Sequence, residues 1–240
     1  MNLAIDAGNS RIKLAGMKEG ELQGYALFND LHDFEEELNQ WPTDQPVIFS
    51  NVGNWPLEEA LNRFSDLTEL TPELPLPIKM AYQTPQTLGN DRRALAVAAW
   101  HEFPETNVLV VDLGSCVTYD FIDQQGTYQG GGISPGLQMR LKSLHHFTAN
   151  LPLVETNESE VPLVGNNTEN SIRSGVINGF KAEVEQTIGW YYERFTSLSI
   201  VFTGGDAGRF VHFTKNGIFA RPKFLLTGLH HILEYNVQKR

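Results

Sequence analysis

Three short runs pair acidic residues with glycines and cations at spacings suited to phosphate and proton chemistry. Asp6-Ala7-Gly8-Asn9-Ser10-Arg11-Ile12-Lys13 reads as a strand end, a tight turn and the start of a second strand. Backbone N–H groups in such a turn, with Asn9, Ser10 and Lys13, can hold a polyphosphate. Asp6 at the strand end can orient a Mg2+ ion, directly or through water. Asp112-Leu113-Gly114-Ser115 is a second turn of the same kind. One such turn alone also fits an ordinary hairpin, whereas two fit a two-sided phosphate clamp. Gly89-Asn90-Asp91-Arg92-Arg93 opens an Ala-rich stretch. There Asp91 can accept a hydroxyl proton as general base, and Arg92 can grip a carboxylate with its forked donors. The same run also reads as a helix start capped by Asn90 or Asp91, with both arginines solvated.

Other runs carry weaker chemistry. Thr203-Gly204-Gly205-Asp206 is a strand-to-helix turn that leaves room for a nucleoside, or an ordinary βα loop. Gly130-Gly131-Gly132-Ile133-Ser134-Pro135-Gly136 is dense enough in glycine to bring chain close to a ligand or to other backbone. His145-His146 and His230-His231 read as lacking acidic or Cys partners at ligand spacing, so neither pair is expected to hold a metal. Cys116 reads as a packed small residue, because no histidine pairs with it.

The elements that must position these runs repeat. Asn2–Asp6 and Asn107–Asp112 are both apolar strands ending in Asp-x-Gly-polar, 106 positions apart from Asp6 to Asp112. Each is followed by an alternating strand and a turn, at Lys18-Glu19-Gly20 and Asp123–Gly126, then a third strand at Leu22–Phe28 and Thr127–Gly130. In the first half, helices are expected over Leu31–Trp41, Leu57–Phe64 and Asp91–Phe103, with a strand at Val47–Val52 and a proline-rich loop or edge segment at Leu70–Pro77. In the second, Pro135-Gly136 precedes a helix to about Phe147 and an exposed loop covers 150–167. Thr168 stands at the N-cap of a long helix through Tyr191 to Phe195. A strand at Ser199–Thr203 and short helices near Asp206–Phe213 and Lys223–Val237 complete the pattern. The expected fold is α/β: two repeated ribonuclease-H-like domains of the actin-like ATPase kind, residues 1–104 and 105–240, with mixed sheets flanked by helices and a cleft between them.

Composition narrows the function classes. The 240 residues are 41% hydrophobic and 20% charged, an ordinary globular mixture. The net charge of −11 argues against nucleic acid or an anionic membrane as partner, since clustered Lys and Arg carry that binding. No apolar run approaches a membrane span, the N-terminus lacks signal-peptide character, and a lone cysteine fits a reducing cytoplasm.

Taken in order along the chain, these runs resemble the motifs of the type III pantothenate kinases. Asp6–Lys13 is similar to that family's first phosphate motif, D-x-G-N-[ST]-x-x-K. Tyr82 with Gly89-Asn90-Asp91-Arg92 is similar to its pantothenate motif, Y-x(6)-G-x-D-R. Asp112–Ser115 resembles the second phosphate motif, D-x-G-T, and Gly131–Gly136 resembles G-G-x-I-x-P-G. Thr168–Gly175 resembles T-x-x-[AS]-I-x-S-G, and Thr203-Gly204-Gly205 the adenosine-side T-G-G. The resemblance implies ATP-dependent phosphorylation of pantothenate at its primary hydroxyl, the first step toward coenzyme A. It implies Mg2+ with ATP, a monovalent cation (K+ or NH4+), and a homodimer. Carried over by position, Asp91 is the catalytic base, and Tyr82, Gly89, Asn90, Asp91 and Arg92 bind pantothenate. Asp6, Ala7, Gly8, Asn9, Ser10, Arg11, Ile12, Lys13 and Ser115 bind ATP. Asp112 holds the monovalent cation, and Thr168 closes the pantothenate site from the neighbouring subunit. Ser115 departs from the family's usual threonine but keeps the hydroxyl, and Cys116 is bulkier than the alanine common there. Two other classes compete: a kinase of the same superfold acting on a sugar or acetate, and a non-catalytic accessory protein.

Overall fold

The computed structural model describes residues 1–156, 161–210 and 218–239. They group into two compact units. Unit one comprises Met1–Glu105, Ile122–Gly130 and Lys223–Arg240; unit two comprises Thr106–Phe121 and Gly131–Pro222. This grouping differs from a single division after residue 104. It sends a β-hairpin and the C-terminal helix to the first unit.

Unit one is built on a five-stranded sheet. Its strands are β1 (Asn2–Ala7), β2 (Ile12–Lys18), β3 (Glu21–Phe28), β4 (Val47–Asn51) and β5 (Leu67–Glu69), in the spatial order β3-β2-β1-β4-β5. The meander β1-β2-β3 is antiparallel, and β4 returns parallel to β1. Alternation along β1 sends Leu3, Ile5 and Ala7 into a core with Phe34 and Leu38 of α1 (Leu31–Leu38) and Leu61 of α2 (Glu58–Leu61). Asp30 caps α1 by accepting the Asp33 N–H. A short strand β6 (Lys79–Met80) pairs in parallel with the start of β9, described below, at Lys79↔Thr127.

The next helix, α3 (Asn90–Glu102), has every residue from Arg92 to Ala99 buried. A helix enclosed on all sides needs small residues where another helix crosses it, and its alanines meet that need. The crossing partner comes from the far end of the chain: α8 (Phe224–Val237). At the crossing a Cβ on Gly228 would run into the Ala94 carbonyl, so only glycine lets the two backbones approach this closely. Leu226, Leu229, Ile232 and Leu233 of the same helix are fully buried. His230 and His231 are buried with them. Burial lowers both imidazole pKa values, that of His231 to about 4.

Unit two contains β7 (Asn107–Leu113), β8 (Cys116–Ile122), the second part of β9 (Thr127–Pro135), β10 (Leu198–Thr203) and β11 (Ile218–Ala220). The strand order is β11-β10-β7-β8-β9, and β10 runs parallel to both neighbours. Leu109, Val111 and Leu113 share a core with Phe180, Val184 and Ile188 of α6 (Gly179–Arg194). Before it come α4 (Leu137–His146) and α5 (Thr168–Arg173), and after β10 comes α7 (Ala207–Phe210).

Several expectations shift here. The N-cap of α5 is Asn167, whose side chain accepts the Asn170 N–H, so Thr168 is the first helical residue. The expected single long helix is interrupted by a π-helical turn at Ser174–Asn178. Strand β11 was absent from the sequence reading. Residues 211–213 of the expected Asp206–Phe213 helix, and 157–160 of the 150–167 loop, lie outside the described residues. No described helix is long and apolar enough to cross a membrane.

Gly228→Ala pits two effects against each other. Helix propensity favours alanine by about 1 kcal/mol, and overpacking against a rigid backbone costs about 1–3 kcal/mol. Because the atom met is a carbonyl of a buried helix, the clash should dominate. Urea denaturation is expected to show a lower midpoint for Gly228→Ala; a higher one would contradict the crossing described.

Candidate active site

Asp6 and Lys13 face each other across the β1–β2 hairpin as register partners. Lys13 Nζ donates to Asp6 Oδ2 at 2.8 Å. The seven-residue spacing is closed by a tight turn in which the Gly8 N–H donates to the Arg11 carbonyl at 3.0 Å. That turn leaves Asn9, Ser10 and Arg11 exposed at its tip. Asp6 itself is 3% exposed. Its pKa is raised: burial is the largest influence, the Lys13 ion pair and hydrogen bond oppose it, and the Asp91 charge adds to it. The buried Asp6 carboxylate therefore pays in solvation.

The hairpin is buttressed from β4. Val52 and Gly53 N–H groups donate to the Ala7 carbonyl, and Trp55 Nε1 donates to the Gly8 carbonyl at 2.8 Å. Asn51 exchanges two hydrogen bonds with the Trp55 backbone, at 2.7 and 3.0 Å. Asn51 and Trp55 were not singled out from the sequence. The signal was available in Asn-Val-Gly-Asn-Trp, a turn directly after a strand that parallels β1.

Asp91 lies at the start of α3, where its Oδ1 accepts the Arg92 N–H at 2.8 Å. Neither Asn90 nor Asp91 is the N-cap; that position is Gly89. Asn90 instead donates from Nδ2 to the Leu70 carbonyl at 2.6 Å. Both arginines are buried, so the solvated reading fails. Arg93 donates to the carbonyls of Leu88, Pro72 and Pro85. It thereby ties the segments on either side of β6 to α3, an arrangement the sequence reading missed. Burial lowers its pKa. Tyr82, on one of those segments, follows the Ala81 N–H, which bonds the Tyr128 carbonyl at 3.0 Å. Its ring lies 6.0 Å from that of Tyr128 and in contact range of Gly130.

Unit two brings three of the sequence runs together. The Asp112 carboxylate lies directly against Gly204, where no Cβ fits, and Thr203 is the register partner of Asp112. The Asp206 N–H donates to the Leu113 carbonyl at 3.0 Å. Gly136 N–H donates to the Ser115 carbonyl at 3.2 Å, with no space for a side chain between the two segments. The glycine run thus serves backbone-to-backbone approach. Arg140 holds its exit through the Pro135 carbonyl, Ser134 Oγ and an ion pair to Glu183 at 2.6 Å. Ser115 is exposed, and Cys116 is part-buried with a free thiol. Thr168 joins none of these contacts. It lines an apolar groove of about 470 Å³ with Leu144, Leu151, Ser171, Ile172, Gly175 and Val176.

The donor chemistry in unit one suits a hard cation. A buried carboxylate whose ionisation is opposed by burial and by a neighbouring carboxylate gains from a cation beside it, and oxygen ligands select Mg2+ over softer ions.

Comparison with known proteins follows from this geometry. The family model of the type III pantothenate kinases matches residues 2–189. A type III pantothenate kinase of Christiangramia forsetii is 45% identical over 241 residues, spanning 98% of this chain and 99% of its own. A Baf-family protein of Campylobacter jejuni superposes with a TM-score of 0.66 at 23% identity, over 98% of this chain and 99% of its own. An inorganic polyphosphate/ATP-glucomannokinase of Arthrobacter sp. strain KM superposes with a TM-score of 0.53 at 13% identity, over 99% and 98%. The structural likenesses show the fold, that of the actin-like and sugar-kinase ATPases.

Burial makes the ionised Asp6 costly. A carboxyl whose folded pKa is raised gives stability that is present at acid pH and lost as pH rises through that pKa. Asp6→Asn is therefore expected to match or exceed the parent Tm at pH 8, with the margin shrinking toward pH 4. A clearly lower Tm at pH 8 would contradict this balance.

Proposed function

The chain belongs to the type III pantothenate kinase family, and from that premise we propose how its own residues carry out ATP-dependent phosphorylation of pantothenate. Asp91 is the general base. It takes the proton of the primary hydroxyl as that oxygen attacks the γ-phosphorus in line. The new O–P bond forms, the bond to the bridging oxygen breaks, and ADP leaves with the electron pair. Tyr82, Gly89, Asn90 and Arg92 bind pantothenate, with the Arg92 guanidinium directed at its carboxylate. Asp6–Lys13 and Ser115 bind ATP, and Asp112 holds a monovalent cation, K+ or NH4+.

The observation that supports this reading is the buried, Lys13-paired Asp6 at the hairpin, whose raised pKa includes a contribution from the Asp91 charge. That contribution supports Asp91 as the proton acceptor near the hairpin we assign to phosphate, where oxygen donors suit Mg2+. When bound, Mg2+ and the monovalent cation neutralise phosphate oxygens, which a protein of net charge −11 cannot do through a broadly positive field. Lys13 and the hairpin N–H groups add fixed positive ends at the same place. Arg93 and the Trp55–Asn51 buttress hold the surrounding backbone, so positioning is already set when substrates arrive.

A homodimer belongs to the same proposal, with Thr168 reaching pantothenate from a second copy. The apolar groove that Thr168 lines, and the nearby exposure of Phe147 (81%), Leu163 (83%) and Val164 (80%), support it. The acidic balance supports small-molecule partners over nucleic acid or membrane, and we place the enzyme in the cytoplasm.

ADP release on adding pantothenate, compared with acetate and common sugars in K+ buffer, tests the substrate. Only pantothenate should give signal. Asp91→Asn should keep its fold and lose about 10²–10⁴-fold in kcat, and near-normal turnover would reassign the base. Turnover should also require Mg2+ and fall when Na+ replaces K+; full activity in Na+ alone would remove the monovalent-cation role.

A further inference from the structure

The C-terminal helix carries a second constellation that the phosphoryl-transfer chemistry does not use. His230, His231 and Glu234 bring one ligand atom each to within 4.8 Å of one another. Glu234 is the acidic partner that the sequence reading did not find for the histidine pair. Residues three and four apart on a helix share a face, so a single carboxylate reaches both rings. His230 Nε2 lies 3.2 Å from Glu234 Oε1, and His231 Nδ1 lies 3.5 Å from Glu234 Oε2.

Those distances do not describe a satisfied hydrogen-bond pair. The His230 ring is 1% exposed, and neither of its nitrogens has a hydrogen-bond partner among the described residues. Its Nε2 is near the carboxylate but off the line that an N–H···O bond needs. A buried imidazole with both nitrogens unbonded is costly and calls for an explanation. An ion bound through Nε2 satisfies the nitrogen that faces Glu234. Metal–ligand bonds of about 2.0–2.1 Å put neighbouring ligand atoms about 3.4 Å apart; each histidine already has one Glu234 oxygen near that spacing, and the three ligand atoms lie within 4.8 Å of one another. The His231 ring is already oriented by a face-to-face stack on His101 of α3, with centroids 3.4 Å apart and planes inclined by 16°.

We infer that His230, His231 and Glu234 form a binding site for a divalent transition-metal ion of the Zn2+ class, with water in the fourth position. Two imidazoles and one carboxylate select Zn2+ or Co2+ over Mg2+ and K+. The Glu234 side chain is 38% exposed and gives the ion a way in. The bound ion would fasten the face of α8 that adjoins His101, and α8 lies directly on α3, which carries Asp91 in its first turn. The site concerns stability and does not depend on the kinase reading.

The test uses the full-length chain without an affinity tag, stripped with chelator and held in millimolar Mg2+ so that oxygen-only sites are filled. Zn2+ titration by calorimetry should find one site per chain, and Zn2+ should raise the Tm. Outer-shell losses at metal sites alone cost about 10–100-fold in affinity. Glu234→Gln, which changes a half-exposed side chain, should therefore weaken Zn2+ at least about 10-fold and abolish the Tm rise. His231→Gln should do the same. Co2+ in place of Zn2+ should give the intense visible bands of four-coordination in the parent and not in Glu234→Gln. Absence of Zn2+ binding to the folded parent, or equal binding by the parent and Glu234→Gln, would overturn the inference.

Discussion

The burial of one carboxylate organises much of unit one. Asp6 sits on β1, the central strand of its sheet, with almost no exposure to water. An ionised group there is expensive, and Lys13 offsets only part of the cost, because the net direction of the Asp6 pKa remains upward. A hydrophobic residue at this position would pack at no such expense. Under the proposed function, stability is surrendered here for a charge that meets ATP and its metal. The backbone around it is correspondingly over-determined: the Gly8 turn is tied to Trp55, Trp55 to Asn51, and β4 to β1 along its length.

The second carboxylate depends on a different kind of support. Asp91 lies in the first turn of a helix that is buried from Arg92 to Ala99, and α8, more than a hundred residues away in sequence, packs against it. Arg93 adds a buried cation that donates to the carbonyls of Leu88, Pro72 and Pro85. A guanidinium is suited to this because its donors are fixed in a plane and stay charged. The consequence is that the segments flanking Tyr82 and Gly89 are set by the same helix that presents Asp91.

What could be read from the sequence was what local periodicity encodes. The two three-strand meanders follow from alternation and turn residues, and the structure has them with shifts of a residue or two at most ends. The Asp6–Lys13 pairing follows from seven-residue spacing around a tight turn. What escaped was set by long-range packing. Nothing local says that α8 joins unit one, that Gly228 must be bare because Ala94 is beneath it, or that Arg93 turns inward to bond three carbonyls. The π-helical turn at Ser174–Asn178 escaped because its residues keep near-helical spacing. The Glu234 partner of the histidine pair was legible, since i+3 and i+4 are neighbours on any helix, but only once that stretch was read as one helical face.

The account rests on a buried Asp6 carboxyl that senses the Asp91 charge in unit one. The most direct measurement is a carbon-13 NMR titration of the Asp6 carboxyl in the parent and in Asp91→Asn. The account predicts an Asp6 pKa above the ordinary aspartate value in the parent and a downward shift when the Asp91 charge is removed. An Asp6 that titrates at the ordinary value, or one indifferent to the loss of the Asp91 charge, would contradict it.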